Sequence, residues 1–424
     1  MRTEKRKTGF TLVEILVVIV IIGILAGLAI PAVTGALRTA KEAAIRQEID
    51  VLSQSLEAYR LDRGSYPPDF SDWNAVERHF RKAFPNMNDN ELRILSQFTH
   101  YNSGLAQTDV GAVTDPRTSA AFGHYPHAID RAEALVFCLG GFSSDKKRPF
   151  TGQGGPLVLA SGSTDPYTAG ASSSDFLKYQ YNTDRNQGQF PFKTQDLTIA
   201  LLTSPTAYAY SNDEGAGGAG GSSTANSLGA TVYADPFPVF RPNSTEMPIA
   251  YFNSSTYNIT YGTDPSGSSA PAWLTTARYL QSLNVYCPPG DLADVGIARP
   301  YASNVIDTTP PSTIRGFSVT LAVAEFAENK RFQLISAGLD NNYGGLVSVS
   351  GSSLPSSGCL YIYSVGRAYN PFATTTQATT MESLQRYQDN ETAKAFGGSE
   401  VYISNPQLDN VTNFSTRTLE SDLE

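Results

Sequence analysis

The longest apolar run of the chain lies close to its N-terminus. Between Leu12 and Leu37, Glu14 is the only ionisable side chain, and Ile, Leu and Val dominate the remaining positions. A helix needs about 20 consecutive apolar residues to cross a hydrocarbon core of about 30 Å. The pattern therefore predicts a helix with a membrane-spanning half over residues 10–37.

A polar stretch with helical periodicity follows the apolar run. Its apolar side chains recur at spacings of four, three, four and three residues, which places them on one face of a helix. Gly64 and the pair Pro67 and Pro68 then predict where the helix ends. We expect an amphipathic half over residues 38–62, so that residues 10–62 form one helix about 80 Å long. The apolar face consists of Ile45, Ile49, Leu52, Leu56 and Tyr59.

Basic residues precede the apolar run. The first nine residues contain four basic side chains and one acidic side chain. A positive flank beside a membrane helix stays on the cytoplasmic side, so we expect the C-terminal bulk outside the cytoplasm. A secretory signal also begins with basic residues, but its apolar segment is only about 7 to 15 residues long. The run in this chain is too long for such a signal.

Glu14 is the unusual residue of the apolar run. An isolated charge at the centre of a membrane helix costs about 2.5–3.5 kcal/mol, so the carboxylate needs a partner. The run contains no Lys, Arg or His that could serve. We therefore expect the partner to be an α-amino group created by cutting the chain between Gly9 and Phe10, on the same subunit or on a neighbour.

Residues 9–14, which read GFTLVE, resemble the class III signal of type IV pilins and type II secretion pseudopilins. The resemblance implies that a prepilin peptidase cuts after Gly9 and methylates Phe10, and that Glu14 guides assembly into a helical filament. Pro31 lies where this family carries a helix-loosening proline, and a simple kink of a membrane helix is the alternative. A plain, uncleaved anchor is the alternative for the motif as a whole.

Two further stretches resemble the G-type major pseudopilins. Residues 61–67 resemble their helix exit, an acidic residue followed by glycine and Tyr-Pro. Residues 336–345 resemble a loop that holds Ca²⁺ in that group, which implies a calcium ligand at Asp340. Ca²⁺ takes six to eight oxygen ligands, and a glycine-rich turn can direct carbonyls inward. Residues 346–348 lack further acidic side chains, so a plain Asx turn at Asp340 is the alternative.

The remainder of the chain, residues 63–424, is predicted to form an α+β globular domain with large loop-rich insertions. The resemblance implies the type IV pilin-like fold, in which a long helix packs on an antiparallel sheet. Asn88 and Glu91 predict a capping box at the start of a helix. Helical periodicity is lost over residues 150–229, within which residues 211–230 are predicted to be a flexible loop. Short helices are expected at residues 73–84, 89–98 and 130–139, and strands at residues 231–233, 249–252, 317–325 and 332–336.

The C-terminal part of the chain predicts which strands pack on the long helix. Residues 317–325 alternate between large apolar and small or polar side chains, which suits a sheet with one face on the long helix. The tail, residues 378–424, is polar and without a strong period. We expect it to form an appendage at the edge of the sheet.

Charge and cysteine spacing argue against some classes of function. The chain has a net charge of −9, which becomes −12 once residues 1–9 are removed, and this acidity argues against nucleic-acid binding. Cys138, Cys287 and Cys359 are too far apart for a CxxC motif. One pair of them could form a disulfide in an oxidising compartment, with the pairing open, and burial as small apolar side chains is the alternative.

No motif of an enzyme stands out in the sequence. His124, His127 and Asp130 offer metal-ligand types, but Pro126 between the two histidines disfavours a helical pairing and we expect a loop role. Residues 215–220 match a GxGxxG pattern without a preceding strand or a following helix, so no dinucleotide site is expected there. HExxH, GxSxG and P-loop patterns are absent from the sequence. The chain is therefore predicted not to be an enzyme.

The resemblance implies a structural subunit, a pseudopilin of a periplasmic filament that serves a type II secretion machine. Such a subunit is anchored by one helix in the inner membrane, with its C-terminal domain in the periplasm. Its implied partners are the prepilin peptidase, other pseudopilins or pilins, and the inner-membrane assembly platform. Two alternatives remain open. One is a minor pilin or tip adhesin of a surface pilus, and the other is a membrane-tethered extracytoplasmic enzyme or ligand-binding protein that uses a pilin-type signal.

Overall fold

The computed structural model describes part of the chain. The described residues are 12–70, 73–96, 98, 129, 131–159, 165, 167, 179–186, 188–201, 209–211, 237–256, 298, 300–307, 313–314, 317–318, 323–343, 346–348, 360–362, 367–369, 385–386, 394–396, 399–403, 410–415 and 418–419. The fold is described from these residues.

One long helix, α1 (Leu12–Arg63), dominates the architecture. It is continuous over 52 residues, which corresponds to a length of about 78 Å. Gly64 ends it because its φ of 80° turns the chain out of the helix while its N–H still donates to the carbonyl of Arg60 at 2.8 Å. A glycine tolerates this left-handed conformation without a steric penalty. The predicted helix end at Asp62 is one residue short of the observed end.

Three short helices follow α1, close to the predicted positions. They are α2 (Trp73–Ala83), α3 (Asp89–Ser96) and α4 (Glu133–Leu139). Asn88 caps α3, since its side-chain oxygen accepts the N–H of Asn90 at 3.0 Å. The predicted reciprocal contact by Glu91 is wrong. Its buried carboxylate instead accepts the N–H groups of Phe150 and Thr151, at 2.7 and 3.0 Å.

The strands are short and are divided among several small sheets. They are β1 (Leu157–Leu159), β2 (Tyr179–Tyr181), β3 (Ile199–Leu201), β4 (Ala209–Ser211), β5 (Ala250–Phe252), β6 (Tyr301–Asp307), β7 (Thr313–Ile314), β8 (Phe317–Ser318), β9 (Val323–Phe326), β10 (Gln333–Ser336), β11 (Leu346–Ser348), β12 (Leu360–Ile362), β13 (Arg367–Tyr369), β14 (Gln385–Arg386), β15 (Lys394–Phe396), β16 (Ser399–Ile403) and β17 (Val411–Thr412).

The sheet that packs on the long helix is antiparallel and has the order β17-β10-β5. Strands β17 and β10 both contact α1. A five-stranded sheet, β14-β13-β12-β6-β9, lies beyond it, and its β12 and β6 pair in parallel. The other described pairings are β11-β16-β15 and the hairpins β1-β2, β3-β4 and β7-β8. The long helix with small, mainly antiparallel sheets confirms the predicted α+β class and is consistent with a pilin-like fold.

Two predictions about the sheets need correction. The described strands within residues 317–325 do not belong to the sheet on α1, because β8 pairs with β7 and β9 pairs with β6. Alternation of side chains identifies a two-faced strand, but it does not say which sheet the strand joins. The tail is more than an appendage, since β17 is an edge strand of the helix-packed sheet itself and Val411 is buried.

The core lies between the outer half of α1, the three short helices and the helix-packed sheet. The predicted apolar face of α1 is confirmed, because all five of its side chains are fully buried. An aromatic cluster continues the core beyond the end of the helix. Its rings meet mostly edge to face with centroids about 5 to 6 Å apart, an arrangement that aromatic pairs favour. The cluster consists of Phe70, Phe80, Phe84, Phe137, Phe142 and Phe150.

Candidate assembly site

The first part of α1 stands free of the domain. Every residue from Leu12 to Lys41 is exposed, including the large apolar side chains of the predicted membrane half. In the described part of the chain, α1 is the one helix long and apolar enough to cross a membrane, with a mean hydropathy of 3.0 over its most apolar stretch. Exposed apolar surface of this extent requires lipid or other apolar helices as its environment.

Glu14 lies in the first described turn of α1, on the exposed apolar half. Gly9 and Phe10 lie outside the described residues, so cleavage after Gly9 and pairing of Glu14 with a new amine stay predictions. Phe10 precedes Glu14 by four residues in the sequence.

Pro31 lies inside α1 without ending it. A proline removes one backbone N–H and disturbs the preceding turn. The hydroxyl of Thr34 donates to the carbonyls of Ile30 and Pro31, at 3.1 and 3.0 Å. The Thr34 hydroxyl thus adds side-chain hydrogen bonds to the helical turn that contains Pro31. The loosening role of Pro31 stays a prediction.

Polar contacts attach the outer half of α1 to distant parts of the chain. Arg46 donates to the carbonyl of Ser415 at 2.7 Å, and Glu48 accepts the hydroxyl of Ser244 at 2.8 Å. Burial raises the pKa of Glu48, an effect that the hydrogen bond from Ser244 opposes and the nearby carboxylate of Asp196 reinforces. These contacts join α1 to the C-terminal tail, through Ser415, and to the segment that contains Ser244.

Glu57 is the second polar anchor of α1. Its carboxylate accepts the hydroxyl of Tyr66 and the guanidinium of Arg331, both at 2.8 Å. Burial alone would raise the pKa of Glu57, but hydrogen bonds from Arg331, Tyr66 and Arg60 lower it. Arg331 lies in the turn before β10, so this ion pair joins the helix to the sheet that packs on it.

The junction of α1 and α2 contains a buried histidine. The ring nitrogens of His79 form hydrogen bonds with the hydroxyls of Tyr59 and Ser65, at 2.8 and 2.9 Å. Its ring also stacks on that of Tyr59. Burial, together with the positive charges of Lys82 and Arg63, lowers the pKa of His79 to about 3. The imidazole is therefore neutral in the folded protein.

A buried ion pair lies behind the helix exit. The guanidinium of Arg131 is fully buried, 3.6 Å from the carboxylate of Asp69, which also accepts the N–H of Asn253 at 3.2 Å. Phe252 on β5 places its ring under the same guanidinium. Sequence reasoning missed this pair, since partners 62 positions apart have no local pattern in common. The one available signal was an arginine just before an otherwise apolar helix.

Arg185 is another residue that sequence reasoning missed. Its guanidinium donates to the carbonyls of Val136 and Phe137, both at 2.7 Å, and to that of Gly141. These carbonyls lie at and just after the C-terminal end of α4, where that of Val136 also accepts the N–H of Gly140 at 3.2 Å. Gly188 permits the approach of this loop, because a Cβ there would come within 2.0 Å of the carbonyl oxygen of Leu139.

The loop at Asp340 forms the predicted Asx turn. Its carboxylate accepts the N–H of Asn342 at 2.8 Å, and the side-chain oxygen of the neighbouring Asn341 accepts the N–H of Glu246 at 3.0 Å. Within the described residues, no three His, Cys, Asp or Glu side chains come together as a metal site. The Asp340 carboxylate of this loop is exposed. A calcium ligand at Asp340 stays a prediction.

Several predicted features fall outside the described residues. These are Gly9, Phe10, His124, His127, Asp130, Cys287, Cys359, residues 215–220 with the GxGxxG pattern, all of the predicted flexible loop 211–230 except Ser211, and the strand at residues 231–233. Cys138 is described as a buried free thiol on α4. Burial raises the pKa of that thiol, so it behaves as a small apolar side chain.

The N-terminal region matches a known protein family. The family described as the prokaryotic N-terminal methylation motif matches residues 5–30. The matched residues include the predicted cleavage junction, Glu14 and most of the apolar run. The N-terminal region is pseudopilin-like.

The same region is similar to curated proteins named type II secretion system core protein G. The protein from Aeromonas hydrophila is 42% identical over 64 residues, 15% of this chain and 45% of the relative. That from Pseudomonas aeruginosa is 41% identical over 64 residues, again 15% and 45%, and that from Escherichia coli K12 is 43% identical over 67 residues, 16% and 46%. The part of the chain that aligns thus spans less than half the length of each of these relatives. No solved structure matches the chain.

The pseudopilin-like region and the described helix agree in extent. The methylation motif ends within the exposed apolar half of α1, and an aligned stretch of about 64 residues corresponds in length to the leader plus the whole helix. One apolar N-terminal helix of this kind fits a single-pass anchor in the inner membrane. Most of the domain beyond the helix has no counterpart among these matches.

Proposed function

We propose that this chain is a structural subunit, a pseudopilin, of a pseudopilus like that of type II secretion systems. The observation that supports the proposal best is a helix in two parts, behind a methylation motif: an apolar part free of the domain and an outer part fixed to it. The free part can exchange lipid for neighbouring helices without disturbing the domain. A subunit that moves from a membrane into a polymer needs this division.

The proposed pathway begins with processing. A prepilin peptidase cuts between Gly9 and Phe10 and methylates the new N-terminus, while the basic leader keeps that end cytoplasmic. The domain from residue 63 onward then lies in the periplasm. Other pseudopilins and an inner-membrane assembly platform are the proposed partners. The similarity to proteins named type II secretion system core protein G supports a place in such a system. The domain acts structurally in this proposal, without catalysis.

Glu14 has the central role in assembly. Two opposite charges about 4 Å apart interact by several kcal/mol when the effective dielectric constant is near 20, which is enough to offset the insertion cost of the carboxylate. A free amine at Phe10 of a neighbouring chain supplies the positive charge. The pair therefore sets the depth at which each new subunit joins the polymer.

Replacing Glu14 tests the proposal. Glu14→Leu should still be cleaved, methylated and inserted, because Leu lowers the cost of insertion, but it should not join a filament. The measurement is intermolecular disulfide crosslinking of single cysteines placed between Ile15 and Ile24, in membranes that contain the full secretion machinery. Glu42→Leu makes the same substitution on the same helix outside the apolar run and should give wild-type ladders.

The outcomes separate the proposal from its alternatives. Wild-type ladders from Glu14→Leu would refute assembly through this carboxylate. Intact mass of the native protein should correspond to a chain that starts at methylated Phe10, and retention of Met1 would refute processing. If ladders require a surface-pilus machine instead of a secretion machine, the chain is a minor pilin. A calcium ion at Asp340 is proposed as a separate, stabilising feature of the domain.

A further inference from the structure

A short basic neck separates the apolar half of α1 from the domain. We define the neck as residues 38–44, between Leu37, the last residue of the apolar run, and Ile45, the first fully buried one. The neck residues are exposed or half-buried. Seven helical residues extend about 10 Å. The headgroup layer of one leaflet is about 5–8 Å thick, so the neck is long enough to cross it.

Two cations of the neck lie on one side of the helix. Arg38 and Lys41 are three residues apart, a spacing that places side chains on the same face. The Nε of Arg38 lies 3.0 Å from the carboxylate of Glu42, yet its side chain is still 61% exposed, with other N–H groups available for a second acceptor. Lys41 is exposed, and the ion pairs of the described residues do not include it.

The charge changes sign just inside the domain, beyond Arg46. Glu48 and Asp196 lie close enough that the Asp196 carboxylate contributes to raising the pKa of Glu48, and Asp50 is exposed on the same stretch of helix. We call these three residues the acidic rim. Glu48 is seven residues beyond Lys41, about 10 Å along the helix. An anionic surface near the neck therefore attracts Arg38 and Lys41 and repels the rim.

We propose that the neck binds the phosphate headgroups of anionic phospholipids, in the leaflet away from the leader, through Arg38 and Lys41. The acidic rim holds the domain just clear of that surface. The inference rests on the membrane helix of the proposed function and adds a lipid partner to it. Its consequence is that the subunit waits in the membrane at a defined depth and breaks these contacts when it leaves.

Lipid selectivity of the full-length chain tests the proposal. The chain is reconstituted in phosphatidylcholine vesicles that contain a trace of spin-labelled phosphatidylglycerol or spin-labelled phosphatidylcholine, and the motionally restricted fraction of each label is measured. A basic residue at an anionic surface favours the anionic lipid about fivefold. The wild-type chain should therefore prefer phosphatidylglycerol several-fold, and high salt should weaken the preference.

Two double variants isolate the neck. Arg38→Gln with Lys41→Gln should lower the preference several-fold, to the level that the basic leader alone supports. Lys146→Gln with Lys147→Gln removes the same charge from an exposed turn of the domain and should keep it. The leader contributes equally to all three proteins, so their differences report only the replaced residues.

The possible results are distinct. An unchanged preference in the neck variant, or an equal loss in the Lys146 and Lys147 variant, would overturn lipid binding by the neck while leaving the proposed function intact. Alkaline washing of the vesicles tests the membrane helix separately. Release of the wild-type chain into the wash would overturn the membrane anchor and the neck together.

Discussion

The buried imidazole of His79 makes the stability of the domain depend on pH in a predictable way. The ring is 8% exposed and lies between the hydroxyls of Tyr59 and Ser65. Its pKa falls from 6.5 to about 3 because burial and the charges of Lys82 and Arg63 disfavour the imidazolium. The unfolded chain keeps the ordinary value, so it binds more protons than the folded chain between these two pH values.

The sign and the size of the effect follow from this difference. The contribution of His79 is fully present above pH 6.5 and is lost as the pH falls from there towards 3. Each unit below the unfolded pKa costs about 1.4 kcal/mol, so the free energy of unfolding should drop by about 2 kcal/mol between pH 7 and pH 5. The free energy lost at pH 5 is set by the unfolded pKa. It does not depend on the folded pKa, provided that the folded pKa lies well below 5.

The assay is urea unfolding of the full chain in mild detergent at pH 7 and pH 5, followed by tryptophan fluorescence. Trp73 is partly buried against the core and reports the loss of that packing. His79→Gln keeps a donor and an acceptor but does not titrate, so it should lose about 2 kcal/mol less than wild type on the same pH change. Carboxylates elsewhere contribute equally to both proteins and cancel. An identical pH dependence in the two proteins would refute the neutral buried imidazole.

Two further predictions concern the domain. If Asp340 binds Ca²⁺, chelation should lower the melting temperature of wild type and leave Asp340→Ala unchanged, since a ligand that binds only the folded state stabilises it; equal melting temperatures with chelator and with excess Ca²⁺ would exclude the site. Leu52→Ala should cost about 2–5 kcal/mol of unfolding free energy because Leu52 is fully buried against the sheet, whereas Leu61→Ala, 77% exposed on the same helix, should change it by less than about 0.5 kcal/mol. The same urea assay distinguishes these values, and similar costs at both positions would contradict the assigned helix face.

Local patterns were enough to predict the long helix and its two halves. Helical periodicity and glycine chemistry depend on residues within a few positions of one another, so the buried face and the exit near Gly64 followed directly from spacing. The short helices were predicted for the same reason, with ends off by a few residues. The candidate assembly residues Gly9, Phe10 and Glu14 also came from a short motif, and Pro31 from its position in the helix of the same family. Their roles await experiment.

Pairing between distant segments was beyond these patterns. Residues 317–325 alternate as a strand should, yet the strands they contain pair with β7 and β6, and β17 from the polar tail packs on α1 instead. Hydrogen-bond partners along a strand are backbone groups, which every sequence offers equally. The choice among possible partners depends on which arrangement buries the most apolar surface with its polar groups satisfied.

The sequence by itself determined a helix long and apolar enough to span a membrane, a methylation motif and an apolar stripe that needs a sheet. Only the tertiary structure decided which strands form that sheet and which polar residues hold it, such as Glu57 with Arg331 and Asp69 with Arg131. The physical reason is range. Helix formation and motif recognition use neighbours in the chain, whereas burial of an ion pair or choice of a strand partner depends on residues brought together by the whole fold.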